Sequence, residues 1–406
     1  MFSSVCRRCF SVLRSAHPPI RRSVAVTCGS GGSVEVDLYN VDEFSPTKAL
    51  ILHLPSQPDS ANGVRQLPEF LYDWPVASIN YRWAPERSRA ASQDDEHLDV
   101  SVDWPVPMHD VAFAYQWIVD ALKPPGIGRG NIYVYGSHLG AGLAMSLALT
   151  EAHPHKRFAV RGVAAYNGVY NWTMFLPGQK EVRGSKSAKD GRRENGNLRI
   201  KDLHDRLVTL FQEPHNLFDP FASPSLFFHN PGLAIPESFY RSPAFDSLVS
   251  AMKGQYDVSG EGGMLGASRR SHLAFPPRAS TLKIPETLLL HDAPSSRSLL
   301  HHRPDEHGNE VQAKKQSTRQ SRPRATDTRH TFRAQAAEIA SFMRRSVEMV
   351  ELKERFRWDP EAKDELEKEP ERRVRVVEVG QEGEDLGLND AGQQAVLDWL
   401  GSLKIR

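Results

Sequence analysis

The chain has 406 residues, enough for one large α/β domain or two ordinary ones. Its net charge of +1 argues against a chain-wide binder of polyanions, and no apolar run approaches the roughly 18 residues of a membrane span. The three cysteines, Cys6, Cys9 and Cys28, all fall near the start, so a disulfide framework cannot hold the fold together.

Residues 1–34 carry Arg7, Arg8, Arg14, Arg21 and Arg22, several serines and no carboxylate before Glu35. Phe2, Val5, Cys9, Val12 and Leu13 fall near helical spacing opposite the arginines. Arg8-Cys9-Phe10-Ser11 resembles a matrix-processing site. This composition predicts a mitochondrial transit peptide, with a basic tail on a cytosolic protein as the alternative.

Ser23–Cys28 and Ser33–Tyr39 alternate around a Gly-rich turn and predict an edge hairpin. Lys48–Leu54 and Pro75–Tyr81 are apolar runs that predict buried parallel strands. Asn62–Trp74 between them can form a short helix. Val106–Leu122 has Val111, Ala114, Tyr115, Ile118 and Leu122 at helical spacing. Asn131–Tyr135 predicts a strand, Leu139–Glu151 a helix, and Arg161–Tyr166 the next strand. Strand and helix alternate throughout, which argues for a doubly wound, mostly parallel sheet.

Residues 171–280 break that rhythm and predict a cap insertion, with Gly178–Asn197 a polar disordered loop. The sheet resumes at Glu286–His291. A polar insertion over Ser295–Arg329 follows, with seven basic residues against two acids between Glu310 and Arg333. It reads as a solvated loop, or as a contact for RNA or an acidic protein. Phe332–Phe356 predicts a helix, Glu361–Glu371 a solvated charge run, Arg373–Val379 a strand and Asp390–Leu403 a closing helix. The domain body is thus 35–170 with 281–406.

At the centre stands Gly136-Ser137-His138-Leu139-Gly140, a tight turn between strand and helix. Its glycines have the spacing of G-x-S-x-G, the nucleophile elbow, but the apex is histidine. Ser137 does not restore the motif, because its own flanking positions are Tyr135 and Leu139.

Several segments resemble the hormone-sensitive-lipase-like branch of the α/β hydrolases. Asn80-Tyr-Arg-Trp-Ala-Pro-Glu86 is similar to the Y-R-L-A-P-E signature. Pro105-Val-Pro-Met-His-Asp110 resembles the helix start that follows it. Gly136–Ala141 is similar to the G-D-S-A-G-G elbow, and Phe218-Asp-Pro-Phe-Ala-Ser-Pro224 to the D-P-x-x-S-P turn of the cap region. The resemblance covers about residues 48–170, and more loosely 284–292 and 373–400. It implies an α/β-hydrolase sheet with a cap after the sixth strand.

That family's chemistry requires a serine, a base, an acid and an oxyanion hole. The resemblance puts His138 at the serine's place. It puts His53, Leu139 and Tyr81 around the oxyanion side of the pocket, but His53-Leu-Pro-Ser-Gln-Pro58 lacks the expected glycines. Asp292 is the carboxylate of the acid loop, a few residues early. The loop after Arg373–Val379 has no histidine. His330-Thr-Phe332 mimics a base motif but precedes the penultimate helix; a register with His330 as base leaves 357–406 an appendage.

Four departures together imply a non-catalytic, esterase-like protein that binds or scaffolds. The alternatives are a carboxylic-ester hydrolase with unorthodox residues and a peripheral component of a mitochondrial RNA–protein assembly. A small apolar or ester ligand suits the first two readings. No cofactor or metal set is expected: His301, His302 and His307 read as solvated. Gly126-Ile-Gly128-Arg-Gly130 reads as a plain loop, because it precedes a strand rather than linking one to a helix. Trp83, Trp104 and Trp117 read as core or pocket wall, and the sequon at Asn171-Trp-Thr173 as chance.

Overall fold

Eight strands form one sheet in the order β1-β2-β4-β3-β5-β6-β7-β8. They are β1 (Arg21–Thr27), β2 (Ser33–Tyr39), β3 (Leu50–Leu54), β4 (Val76–Asn80), β5 (Gly130–Ser137), β6 (Phe158–Tyr166), β7 (Glu286–His291) and β8 (Val374–Glu378). β1 and β2 form the expected antiparallel edge hairpin, β2 meets β4 antiparallel, and every later pairing is parallel. The computed structural model describes residues 19–44, 48–57, 67–83, 102–175, 200–229, 275–293, 331–359, 367–381 and 386–403. The basic start through Pro18, Asn62–Gln66, Ala84–Glu86, Gly178–Asn197, Ser295–Arg329 and His330 lie outside the described residues.

The strands are apolar on both faces because both faces are covered. Leu50, Leu52, Leu54, Val134, Val163 and Leu289 pack with α1 (Val106–Ala121), α2 (Leu139–Glu151) and α5 (Phe332–Ser346). Ile51, Val76, Tyr133, Tyr135, Tyr166, Leu288 and Leu290 pack with Phe70, Leu71 and the closing helix α8 (Asp390–Leu403). Adjacent residues of a strand thus serve opposite layers. Helix α2 is buried from Leu139 through Leu149, which explains its run of small and aliphatic residues.

Between β6 and β7, the cap contributes α3 (Ile200–Asp205), α4 (Leu207–Phe211) and short 3₁₀ turns. Trp83 and Trp104 fasten it. Their indole N–H groups donate to the Leu210 carbonyl at 2.8 Å and to Asp219 Oδ2 at 3.0 Å, and both rings pack on Phe211. They are core, as expected, and Trp117 is half-buried on α1.

Three readings need correction. The described part of Asn62–Trp74 holds only a 3₁₀ turn at Glu69–Leu71, because Pro68 and Pro75 bound it on both sides. Phe332–Phe356 is not one uniform helix: a π-helical stretch, Val347–Leu352, separates α5 from α6 (Lys353–Trp358). The charge run does not stay solvated to its end. Glu369 opens α7 (Glu369–Arg373) and lies among Arg372 at 2.6 Å and Arg373 at 2.9 Å. Burial alone would raise its pKa, but the two guanidinium bonds outweigh that and hold it at about 2.

Candidate active site

The carboxyl ends of β5, β6 and β7 place Ser137, Tyr166 and His291 side by side, where ligands bind in open parallel sheets. Ser137 ends β5, buried and in register with Tyr166. His138 is the turn residue itself, with φ 50° and ψ −113°, and α2 begins at Leu139. A side-chain-bearing residue rarely adopts this conformation, which costs about 1–3 kcal/mol. The surroundings enforce it. The His138 amide donates to the Tyr166 carbonyl at 2.8 Å, and the Ala141 amide to the His138 carbonyl at 3.2 Å. A Cβ on Gly136 would collide with the Gly140 carbonyl and the Ala144 side chain, and one on Gly140 with the Leu54 and Pro55 carbonyls. The two glycines therefore let strand, helix and the end of β3 close on each other, as an elbow requires.

The imidazole of His138 is boxed in, with 1% of the residue exposed. Its ring stands nearly perpendicular to Tyr166 at 5.5 Å and to Phe332 at 6.0 Å between centroids. The Asp292 carboxylate is bonded to this wall. Asp292 Oδ1 accepts the Tyr166 hydroxyl at 2.7 Å, and Oδ2 accepts Asn167 Nδ2 at 2.8 Å. Its own amide donates to Asn167 Oδ1 at 3.1 Å. Asn167 has φ 49°, a left-handed position that asparagine tolerates well. Asp292 thus anchors the wall of the histidine box through Tyr166 and Asn167.

The end of β3 packs directly on the elbow. The Leu54 and Pro55 carbonyls lie against Gly140, and Pro55 has no N–H to offer. Tyr81 is fully buried and its hydroxyl donates to the Pro55 carbonyl at 2.8 Å, holding that segment in place. Leu139 is a core residue of α2. His53 shares a 2.9 Å hydrogen bond with Ser78 Oγ and stacks on Tyr135 at 5.8 Å. Burial pushes its pKa down to about 4, so its imidazole is neutral at pH 7.

His330 lies outside the described residues, but Thr331 and Phe332 after it do not. Thr331 caps α5 by accepting the Ala334 amide at 3.1 Å, and Phe332 forms part of the box around His138. After β8 the Gly380 carbonyl accepts the Ala293 amide at 2.8 Å, which closes the loop ends together. Sequence reasoning missed Tyr166, Asn167 and Phe332. Only the Asn167-Gly168 dipeptide carried a local signal, that of a turn.

The motif segments prove to be mutual fasteners. Arg82 gives Asp110 its backbone amide at 2.8 Å, Nε at 2.9 Å and Nη2 at 2.6 Å. Asp219 caps its own turn through the Phe221 amide, and Ser223 Oγ accepts the Trp172 amide. The glycine-rich segment at Gly126–Gly130 offers carbonyls to Arg157. Asn171 is buried with Nδ2 3.3 Å from Glu338, unsuited to glycosylation. Among the described residues no group of three or more His, Cys, Asp or Glu is placed to hold a metal. Among them, too, no helix is long and apolar enough to cross a membrane.

No protein-family model and no curated protein sequence matches the chain. Among solved structures it is similar to an esterase from Pyrobaculum calidifontis, at 16% identity and a TM-score of 0.39 over 68% of this chain and 66% of that one. It is similar to carboxyl esterase 2 of the mycorrhizal fungus Tuber melanosporum, at 13% identity and 0.47 over 97% and 88%. A hormone-sensitive lipase from a metagenome library aligns at 14% identity and 0.36 over 68% and 67%. The chain spans just under two thirds of the length of the Pyrobaculum esterase. The α/β-hydrolase type of the fold rests on the strand order and the elbow after β5.

Proposed function

We propose that this is an esterase-like α/β-hydrolase-fold protein that binds or scaffolds and does not hydrolyse esters. One observation carries the reading: the elbow apex holds a buried imidazole walled by Tyr166 and Phe332, while Asp292 is bonded to the wall. An imidazole can attack an acyl group, but turnover needs a base, a leaving-group acid and oxyanion donors together. Short p-nitrophenyl esters are expected to be cleaved no faster by the native protein than by the denatured chain, and no differently by His138→Ala. On this reading His138→Ser alone restores nothing, because a serine without base, acid and oxyanion donors does not turn over. A rate orders of magnitude above background that disappears in His138→Ala would make the chain an unorthodox carboxylic-ester hydrolase instead.

Within the same proposal the arginine-rich start directs the protein to the mitochondrial matrix. β1 makes seven register pairs with β2, and Arg21 Nε lies 3.0 Å from buried Asp37. A cut within β1 would strip the sheet edge, so the mature N-terminus is expected between Ser11 and Ile20. N-terminal sequencing of the endogenous protein checks this; an intact Met1 in the cytosolic fraction refutes import.

A further inference from the structure

At the end of the sheet opposite the elbow, three segments meet: residues 152–154 after α2, the start of β6, and the approach to β7. They enclose a cavity of about 160 Å³. From Arg161 to Tyr166 the strand rises about 17 Å, so this place is separate from His138. Val160 and Ile284 give the cavity an apolar wall, Arg161, Lys283 and Arg373 line it with cations, and Glu286 is the carboxylate among its lining residues.

Arg373 is matched by Glu351 at 2.5 Å and Glu369 at 2.9 Å, and Glu286 by Arg372 at 2.8 Å. Arg161 is half-buried and bonded to neutral acceptors. Its Nη1 donates to the His153 carbonyl at 2.8 Å, its Nη2 to the Lys156 carbonyl and its Nε to Asn131 Oδ1 at 3.3 Å. A guanidinium has five N–H groups, so those bonds leave one on each terminal nitrogen, the fork that grips an oxyanion. Burial, together with nearby Arg129, draws the Arg161 pKa below the ordinary guanidinium value, against an opposing pull from Tyr133 and Tyr115.

The frame is built rather than loose. The Lys283 amide donates to the Ala152 carbonyl at 3.1 Å, and His153 Nδ1 and Thr281 Oγ1 are 3.0 Å apart. The Ile284 amide donates to Glu351 Oε1 at 3.1 Å.

We propose that this cavity binds a phosphate group, with Arg161 as its fork and Lys283 as its second charge. The apolar wall beside the cations accommodates a short carbon stem, so the group is a phosphate monoester in preference to free phosphate. Titration calorimetry of the full chain with inorganic phosphate and with propyl phosphate, at ionic strength held constant with chloride, tests it. Both bind at millimolar concentration or below, and the monoester binds more tightly. Arg161→Gln weakens both about tenfold or more, since a charge-assisted bond is lost. Lys283→Gln, on an exposed side chain, keeps the fold and weakens both about threefold. Arg22→Gln, at the far edge of the sheet, leaves the affinity unchanged. Should Arg161→Gln fail to fold, Lys283→Gln decides. No binding by either ligand up to about 10 mM, or affinity that Lys283→Gln leaves unaltered, overturns the proposal. Equal affinity for the two ligands overturns the preference for a monoester.

Discussion

Arg82→Ala will lower the unfolding free energy by about 3–5 kcal/mol. Asp110 is fully buried and receives three hydrogen bonds from Arg82, while Nη1 of the same guanidinium donates to the Gly31 carbonyl at 2.6 Å. Truncation removes both guanidinium bonds from the buried carboxylate and unties the β1–β2 turn. Arg82→Lys recovers only part of the loss, because an ammonium cannot span both carboxylate oxygens as the fork does. Urea unfolding of the three proteins checks the ranking; a loss under about 1 kcal/mol for Arg82→Ala would mean that the pair contributes no more than a surface bridge. Cys28 belongs to the same cluster. Burial, with Asp110 beside it, raises its thiol to about 11, so it stays protonated and inert at neutral pH.

Acidification exposes a second large effect. His53 is buried neutral, with its pKa pushed down to about 4, whereas the unfolded chain has the ordinary value of about 6.5. The unfolded state therefore takes up the proton first. Stability from this group is fully present above about pH 6.5 and is lost progressively as pH falls toward about 4, by about 3 kcal/mol in all. His53→Gln should flatten the difference between unfolding midpoints at neutral pH and at pH about 4.5. Equal pH dependence in the variant and the native protein would show that His53 is not buried as described. Glu369 works in a lower window: its contribution is present above about pH 4.5 and lost toward its folded value of about 2.

All eight strands were legible in the sequence to within a few residues, because continuous apolar runs have few other uses in a mixed chain. The elbow was legible too, since Gly136 and Gly140 are forced by close backbone approach and no other residue fits. The helix Leu139–Glu151 and the closing helix Asp390–Leu403 begin and end where periodicity placed them. What escaped was partnership across long separations. Asp292 and Asn167 are 125 positions apart, and no local pattern links them. Phe332 read as a helix start within the base-like His330-Thr-Phe332 until the fold set its ring against His138. The motif residues Arg82, Asp110, Asp219 and Ser223 read as family signatures, yet here each serves to join segments.

The central claim is that an elbow built for a nucleophile holds a histidine closed off from acyl transfer. The most direct measurement is intact-mass and peptide mass spectrometry after brief exposure to p-nitrophenyl acetate, beside stopped-flow detection of released p-nitrophenolate. The account predicts no burst of p-nitrophenolate and no acetyl adduct on His138, while exposed histidines such as His215 acquire whatever modification occurs. A stoichiometric burst with the acetyl group on His138 would contradict it, since only an accessible, working imidazole at the apex could produce that result.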